Sequence, residues 1–272
     1  MPPDFSTQVI VVIRFSYVAL AGFRLSKDGE HDVRKQLYAP DRLERRFRLF
    51  EALTLPSLLA QTDQDFTTAI VIGDDFPRDW RQRLEAKIRP LAGGRIIALH
   101  PLNNFKSTKK ALDICTHPSA SHVVSMRLDD DDAISSDCIA ETKRIAAPLM
   151  QISGPENPAI IAFNNGLFLE LGAGGTTLYG VHEKTPLGIG MSMVAPRGAR
   201  PTVFSMDHRM VHTRWNCFTD GVTPRFIRTV HRDNDSTGFM SGTRVDLSDE
   251  ELDAILAQSF PFSRQMLMTL GG

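Results

Sequence analysis

The first 150 residues alternate between short apolar runs and longer amphipathic segments. The short runs are rich in β-branched residues, and they predict strands over 8–17, 65–75, 94–100 and 121–128. The amphipathic segments repeat apolar residues at helical spacing, and they predict helices over 40–61, 79–92, 107–117 and 138–150. Pro56 is expected to kink or restart the first helix, and Ser107 to cap the third. Strands that alternate with helices in this way predict βαβ units and a mostly parallel sheet.

The second half of the chain differs from the first in composition and in the pattern of its apolar residues. After residue 155, glycine and proline are frequent, and the pattern predicts strands and hairpins. The segment 171–178 fits neither a dinucleotide fingerprint nor a P-loop, so it is interpreted as a hairpin turn or an acceptor loop. Ser248 and Glu251 have capping-box spacing at the start of a helix over 248–260. We therefore expect one domain over 1–272, with a nucleotide-binding type of half (1–150) and an elaborated half (151–272).

Composition and charge narrow the class of protein. Hydrophobic residues make up 42% and charged residues 23%, as in ordinary globular proteins. The net charge of −1 argues against a nucleic-acid partner. The three cysteines show no C-x-x-C spacing, which favours a reducing compartment without a zinc ribbon. The N-terminus lacks the pattern of a secretory signal, and no apolar run reaches the ~20 residues of a membrane span, so we expect a cytoplasmic protein.

Four consecutive carboxylates, Asp129 to Asp132, follow the fourth predicted strand. Ligands of parallel sheets gather at the carboxyl ends of strands, where Asp74 and Asp75 also fall. Asp129 and Asp131 can converge on one divalent cation, and hard oxygen ligands suit Mg²⁺ or Mn²⁺. The alternative is a solvated acidic loop. An EF-hand is excluded, because Ile134 stands where that loop requires glycine.

Three segments carry a resemblance to a known family. MRLDDDDAISSDCI (126–139) resembles the strand and DxD element of nucleotide-sugar glycosyltransferases, AIVIGDDFPRDW (69–80) resembles their base-contacting strand, and PSLLAQTDQDF (56–66) resembles the connection before it. From VVIRFSY (11–17) to HRDNDS (231–236), the chain most resembles the bacterial putative rhamnosyltransferase family. This implies the GT-A fold: an α/β, Rossmann-like, mixed and mostly parallel sheet flanked by helices, with a β-rich second half.

The resemblance also implies a metal-dependent transfer. A sugar would move from a nucleotide-diphosphate donor, dTDP-rhamnose being the one that the family suggests, to a glycan or lipid-linked acceptor at the inner face of the membrane. A Mn²⁺ or Mg²⁺ ion would be held by Asp131, with Asp129 near the ion or the ribose and His231 as the third ligand. Asp130 would turn away from the ion and Asp132 would brace the loop. The donor-binding residues would be Arg14, Phe15, Asp74, Asp75, Lys109, Lys110, Asp129 and Asp130.

The acceptor's proton needs a base. Asp207 follows the strand-like segment PTVFSM (201–206), as the acidic pair of such enzymes does, and His208 stands where a second carboxylate is usual. Either Asp207 or His208 is therefore the candidate base. His208 and His212 have the spacing of a helical zinc pair, but Arg209 stands where a metalloprotease needs glutamate.

Three alternatives stay open. A nucleotidyltransferase on a similar sheet is disfavoured, because no glycine-rich loop follows the first predicted strand. A binding module without catalysis would bind nucleotide or carbohydrate and turn nothing over. A Ca²⁺-stabilised structural protein would respond to chelators and ignore nucleotides.

Overall fold

A computed structural model describes residues 5–20, 30–234 and 240–271 of the chain. Residues 235 and 236, at the end of the family-like segment HRDNDS, lie outside these ranges. Within them the strands, in chain order, are β1 (Thr7–Arg14), β2 (Thr67–Gly73), β3 (Gly94–Leu99), β4 (His122–Arg127), β5 (Ala133–Ile134), β6 (Ala159–Phe163), β7 (Asn165–Gly172), β8 (Gly175–His182), β9 (Ser192–Pro196), β10 (Asn216–Asp220), β11 (Phe226–Val230) and β12 (Thr243–Val245).

The described α-helices, in chain order, are α1 (Glu30–Leu37), α2 (Pro40–Leu49), α3 (Leu55–Leu59), α4 (Arg78–Ile88), α5 (Asn104–Cys115), α6 (Cys138–Ser153), α7 (Asp249–Ser259) and α8 (Arg264–Met268). A π-helical turn, Phe50–Thr54, joins α2 to α3. Pro56 lies in the first turn of α3, so the predicted restart of this helix is confirmed. In the described part of the chain, none of the helices combines the length and apolarity that a bilayer crossing requires.

The larger sheet has seven strands in the order β10-β6-β9-β4-β1-β2-β3. Strands β3, β2, β1 and β4 run parallel, whereas β9 runs antiparallel between β4 and β6. In β1, Val9, Val11 and Ile13 face the core under α2, α4 and α6, while Ile10 and Val12 face the core under α5. Burial on both faces explains the continuous apolar run of this strand. The predicted α/β class, with a mixed and mostly parallel sheet flanked by helices, is confirmed.

The smaller sheet has the order β12-β8-β7-β11-β5. Its edge strand β5 directly follows the acidic run, and it pairs antiparallel with β11, with Ile134 opposite Phe226. The acidic run therefore crosses from the end of β4 in the larger sheet to the smaller sheet. This crossing brings the run beside the residues that follow β11.

The predictions of helix caps, turns and short strands were confirmed at some positions and wrong at others. The capping box of Ser248 and Glu251 is present at α7, and 171–178 is the turn of the β7–β8 hairpin. Ser107 is not a cap: it lies buried inside α5, and Asn103 caps that helix by accepting the Lys106 N–H at 2.8 Å. Residues 201–206 form turns and not a strand.

Candidate active site

Three of the four consecutive carboxylates are buried. Asp130, Asp131 and Asp132 are 2%, 3% and 5% exposed, whereas the side chain of Asp129 is 34% exposed. The run is therefore not a solvated acidic loop. Buried carboxylates require compensating charge or protonation.

Arg46 supplies the compensating charge for Asp130 and Asp131. Its Nε lies 3.2 Å from Asp130 Oδ2 and its Nη2 contacts the other oxygen of that carboxylate, while Nη1 lies 2.8 Å from Asp131 Oδ2. Arg46 is itself 8% exposed. Burial alone would raise the pKa of Asp131, but the charge of Arg46 and the hydrogen bond with His231 hold that pKa below its usual value. A built-in guanidinium thus stabilises these two neighbouring acids.

Asp132 is held differently, by neutral groups. Its Oδ1 accepts the backbone N–H of Thr229 at 2.9 Å, and its backbone carbonyl accepts the hydroxyl of Thr54 in the π-helical turn at 2.8 Å. Burial, and then the nearby charges of Asp131 and Asp129, raise the pKa of Asp132 well above its usual value. The contacts of Asp132 lie where they brace the loop between the sheets.

Asp131 and His231 are neighbours. Strand β11 carries His231 just beyond its end, and the pairing of β11 with β5 places this residue against the acidic run. His231 Nε2 lies 2.8 Å from Asp131 Oδ2, and the Asn234 amide donates to the same oxygen at 3.2 Å. The sequence placed these two candidate ligands 100 residues apart, and the fold joins them.

A metal ion fits part of the predicted ligand set. Among the described residues, no three His, Cys, Asp or Glu side chains gather in an arrangement that could hold an ion, so the predicted trio with Asp129 is not assembled. Asp131 and His231 present an oxygen and a nitrogen ligand side by side. Mg²⁺ sites commonly use one or two protein ligands and complete the shell with water and substrate phosphates. In this structure the two ligand atoms contact each other, and Asp131 Oδ2 also accepts from Arg46 and Asn234, so an ion would have to displace these contacts.

Asp129 points to a cleft instead. Its Oδ1 accepts from Arg14 Nη2 at 2.9 Å, and its Oδ2 lies 3.5 Å from Arg127 Nη2. Burial opposes ionisation, but the nearby charges of Arg127 and Arg14 outweigh it and hold the pKa of Asp129 well below its usual range. Asp129 is therefore ionised and fixed in place at the end of the larger sheet.

The cleft has a volume of about 260 Å³, and it is lined both by a predicted donor-binding residue and by the two candidate bases. Asp129 lines it together with Asp207 and His208, and with Arg127, Arg209 and Arg228. Asp207 Oδ1 accepts the backbone N–H of Arg209 at 2.9 Å and so caps the 3₁₀-helix His208–Thr213. Burial and the charge of Arg127, opposed by Asp207, lower the pKa of His208 to about 4. The imidazole is therefore neutral at physiological pH.

Several predicted donor-binding residues lie elsewhere. The ring of Phe15 is fully buried against Phe47, Phe50 and Phe76, so it does not line the described cleft. The buried carboxylate of Asp130 contacts Arg46, and the donor-binding roles of both residues stay predictions.

The remaining candidates are surface groups. Asp74 Oδ2 lies 2.5 Å from His100 Nδ1, and Asp75 accepts from the Tyr38 hydroxyl at 3.0 Å, both just beyond the carboxyl end of β2. Lys109 pairs with Asp113 one turn further along α5, and Lys110 is exposed. None of these four lines the described cleft, and their predicted roles stay predictions.

Four arginines of the site, Arg46, Arg127, Arg209 and Arg228, were not predicted from the sequence. The position of Arg46 could have been recognised from the sequence, because it lies three residues after Leu43 and four before Phe50, on the apolar face of α2. A charged residue on a buried helix face indicates a buried partner of opposite charge. Arg127 adjoins the acidic run in sequence. Arg209 and Arg228 gave no local signal that separates them from ordinary surface arginines.

Comparison with known proteins identifies the family of the chain. Residues 8–243 match the model of a family described as "putative rhamnosyl transferase". The chain belongs to this family. No curated protein matches it.

Two solved structures show a distant likeness. S. aureus TarS 1-349 in complex with UDP-GlcNAc is 12% identical with a TM-score of 0.46, over 92% of this chain and 65% of that chain. A putative glucose-1-phosphate thymidylyltransferase from Bacillus anthracis, in complex with a sucrose, is 11% identical with a TM-score of 0.37, over 96% and 99%. The chain spans less than two thirds of TarS 1-349.

Proposed function

We propose that the chain is a glycosyltransferase with a GT-A type of fold, which moves a hexosyl group from a nucleoside-diphosphate donor to a hydroxyl of a glycan or lipid-linked acceptor. The family description names rhamnose as the sugar, and we propose dTDP-rhamnose as the donor. One observation carries the proposal: Asp129, at the carboxyl end of β4, shares a cleft with Asp207 and His208. An anchored carboxylate on the donor side and a candidate base on the acceptor side are the groups that glycosyl transfer requires.

The base is assigned to Asp207. Its Oδ1 is occupied by the Arg209 N–H, and within the described residues no partner is recorded for Oδ2. The side chain is 64% exposed, which lets an acceptor hydroxyl approach. Asp207 would take the hydroxyl proton while the acceptor oxygen bonds to the anomeric carbon. The bond from that carbon to the diphosphate oxygen breaks, and its electron pair leaves with the diphosphate.

His208 supports this base without adding charge. Its Nδ1 lies 3.6 Å from Asp207 Oδ1, and its pKa of about 4 keeps it neutral. A neutral imidazole adds no positive charge beside the Asp207 carboxylate.

Asp131 and His231 would hold a divalent cation, Mn²⁺ or Mg²⁺. When bound, such an ion supplies positive charge to the leaving diphosphate. Arg46 keeps Asp131 in place, and Asn234 supports the same carboxylate oxygen. In this proposal residues 1–150 bind the donor and residues 151–272 the acceptor, and the protein acts in the cytoplasm, at the membrane face where the acceptor is lipid-linked.

A panel of nucleotide sugars tests the function. The purified protein is mixed with dTDP-rhamnose, UDP-GlcNAc and other donors, with Mn²⁺, with Mg²⁺ or with EDTA, and release of nucleoside diphosphate is measured. We expect release from at least one donor and loss of that release in EDTA. Release of pyrophosphate from a nucleoside triphosphate and a sugar phosphate would instead identify a nucleotidyltransferase. Binding of a donor without any release would indicate a module without catalysis.

A further inference from the structure

The cleft contains three guanidinium groups as well as its acids. Arg127, Arg209 and Arg228 line it, although an uncharged acceptor sugar needs no cation. The planar fork of arginine matches the oxygens of phosphate and carboxylate groups, with which it forms paired hydrogen bonds. The composition of the cleft wall therefore points to an oxyanion as one of its ligands.

Arg127 is fixed on both sides by backbone contacts. It is the last residue of β4; its N–H donates to the Met191 carbonyl and its carbonyl accepts from the Gly190 N–H, both at 2.9 Å. Its side chain lies against Gly188, where an added Cβ would stand 2.8 Å from Nε and 2.9 Å from Cζ. Glycine at 188 leaves this space, so the guanidinium packs directly against the backbone of the cleft wall.

The hydrogen-bonding capacity of Arg127 is largely unused. The nearest carboxylate oxygen, Oδ2 of Asp129, lies 3.5 Å from Nη2, which is beyond a normal N–H···O bond. The Nε is buried and has no hydrogen-bond partner among the described residues. Arg14 already makes the close contact with Asp129, at 2.9 Å. The charge of Arg127 thus acts on Asp129 without a close hydrogen bond, and its guanidinium keeps N–H donors beside the cleft for a ligand.

Arg228 provides a second cation on the same wall. It belongs to β11, next to Thr229, which holds Asp132, and its guanidinium lies 5.2 Å from the ring centre of Phe168. Stacking of a guanidinium on an aromatic face restricts its orientation. Two arginines from different sheets are thus fixed around the cleft that holds Asp129.

We infer that Arg127, together with Arg228, forms an oxyanion clamp for the diphosphate of the donor. The clamp binds the phosphate oxygens directly and adds to whatever charge a cation at Asp131 and His231 provides. The identity of the anion as a nucleoside diphosphate rests on the proposed function. The clamp itself rests on the geometry of Arg127, Gly188 and Arg228.

The clamp can be measured with inorganic pyrophosphate, by calorimetry in EDTA, so that no divalent cation contributes. Arg127→Gln should weaken pyrophosphate binding about tenfold or more, since a hydrogen bond to a charged group is lost. Gly188→Ala keeps every charge but should displace the guanidinium, and we expect about a threefold to tenfold loss. Arg81→Gln, on the exposed face of α4, changes the net charge as Arg127→Gln does, and it should leave the affinity unchanged.

The outcomes separate the clamp from other accounts. Pyrophosphate binding that is equal in wild type, Arg127→Gln and Gly188→Ala overturns the inference, as does the absence of binding to the wild type. If Arg127→Gln fails to fold, Arg127→Lys and Gly188→Ala decide, because both keep the charge and alter the fork or its position. Displacement of pyrophosphate by dTDP or UDP supports the donor assignment, whereas simultaneous binding contradicts it. Arginine-dependent pyrophosphate binding without sugar transfer would leave the clamp standing and the proposed function wrong.

Discussion

Replacing Arg46 with methionine will lower the free energy of unfolding by about 3–5 kcal/mol. The guanidinium is the described cation in contact with both Asp130 and Asp131, and all three side chains are less than a tenth exposed. Removing one partner leaves a buried charge without compensation, which costs far more than the pair contributed. Urea denaturation at neutral pH, followed by circular dichroism, measures this loss.

Two control variants make the result specific. Arg81→Met removes an exposed arginine that pairs with Glu85 along α4, and it should change stability by no more than about 1 kcal/mol. Arg46→Met combined with Asp130→Asn removes one of the two uncompensated carboxylates, and it should recover at least about 1 kcal/mol of the loss. If Arg46→Met were as stable as Arg81→Met, Arg46 would not be the charge that holds the acidic run.

Replacing Asp207 with asparagine will lower kcat by about 10²- to 10⁴-fold, the usual contribution of a positioned general base. The variant keeps an oxygen that can accept the Arg209 N–H, so the 3₁₀-helix should stay capped. Affinity for the nucleoside diphosphate should change by less than about twofold, because the side chain lies on the acceptor side. Steady-state transfer rates and calorimetry with the diphosphate separate these effects.

His208→Asn is the matched comparison for the base. It removes the neighbouring imidazole, and we expect a loss of less than about tenfold. Because the pKa of His208 is about 4, its protonation does not change between pH 6 and 8, and kcat in that range should not follow its titration. An inactive His208→Asn together with an active Asp207→Asn would move the base to His208.

The sequence predicted the sheet well because the signals were local. Apolar runs such as 8–17 and amphipathic segments such as 79–92 carry their periodicity within about ten residues, and β1 and α4 follow them closely. The predicted cap at Ser107 was wrong because Asn103, four residues earlier, also offers a capping oxygen. Periodicity places a helix but does not choose between two nearby caps.

The site was predicted less completely, because its partners are distant in sequence. Placement of the acidic run at the end of a strand, and of His231 beside it, followed from strand order and from the family resemblance. The split between Asp129, which faces the cleft, and Asp131, which faces Arg46 and His231, depends on the crossing between two sheets. Arg46 lies 85 residues from Asp131, and its charge satisfies the run from within the protein.

A crystal structure with a bound nucleoside diphosphate tests the central claim most directly. The account predicts diphosphate density inside the cleft, within hydrogen-bonding distance of Arg127 and between Asp129 and the Asp207–His208 pair. A diphosphate bound at another edge of the sheet, with this cleft filled only by water, would contradict it.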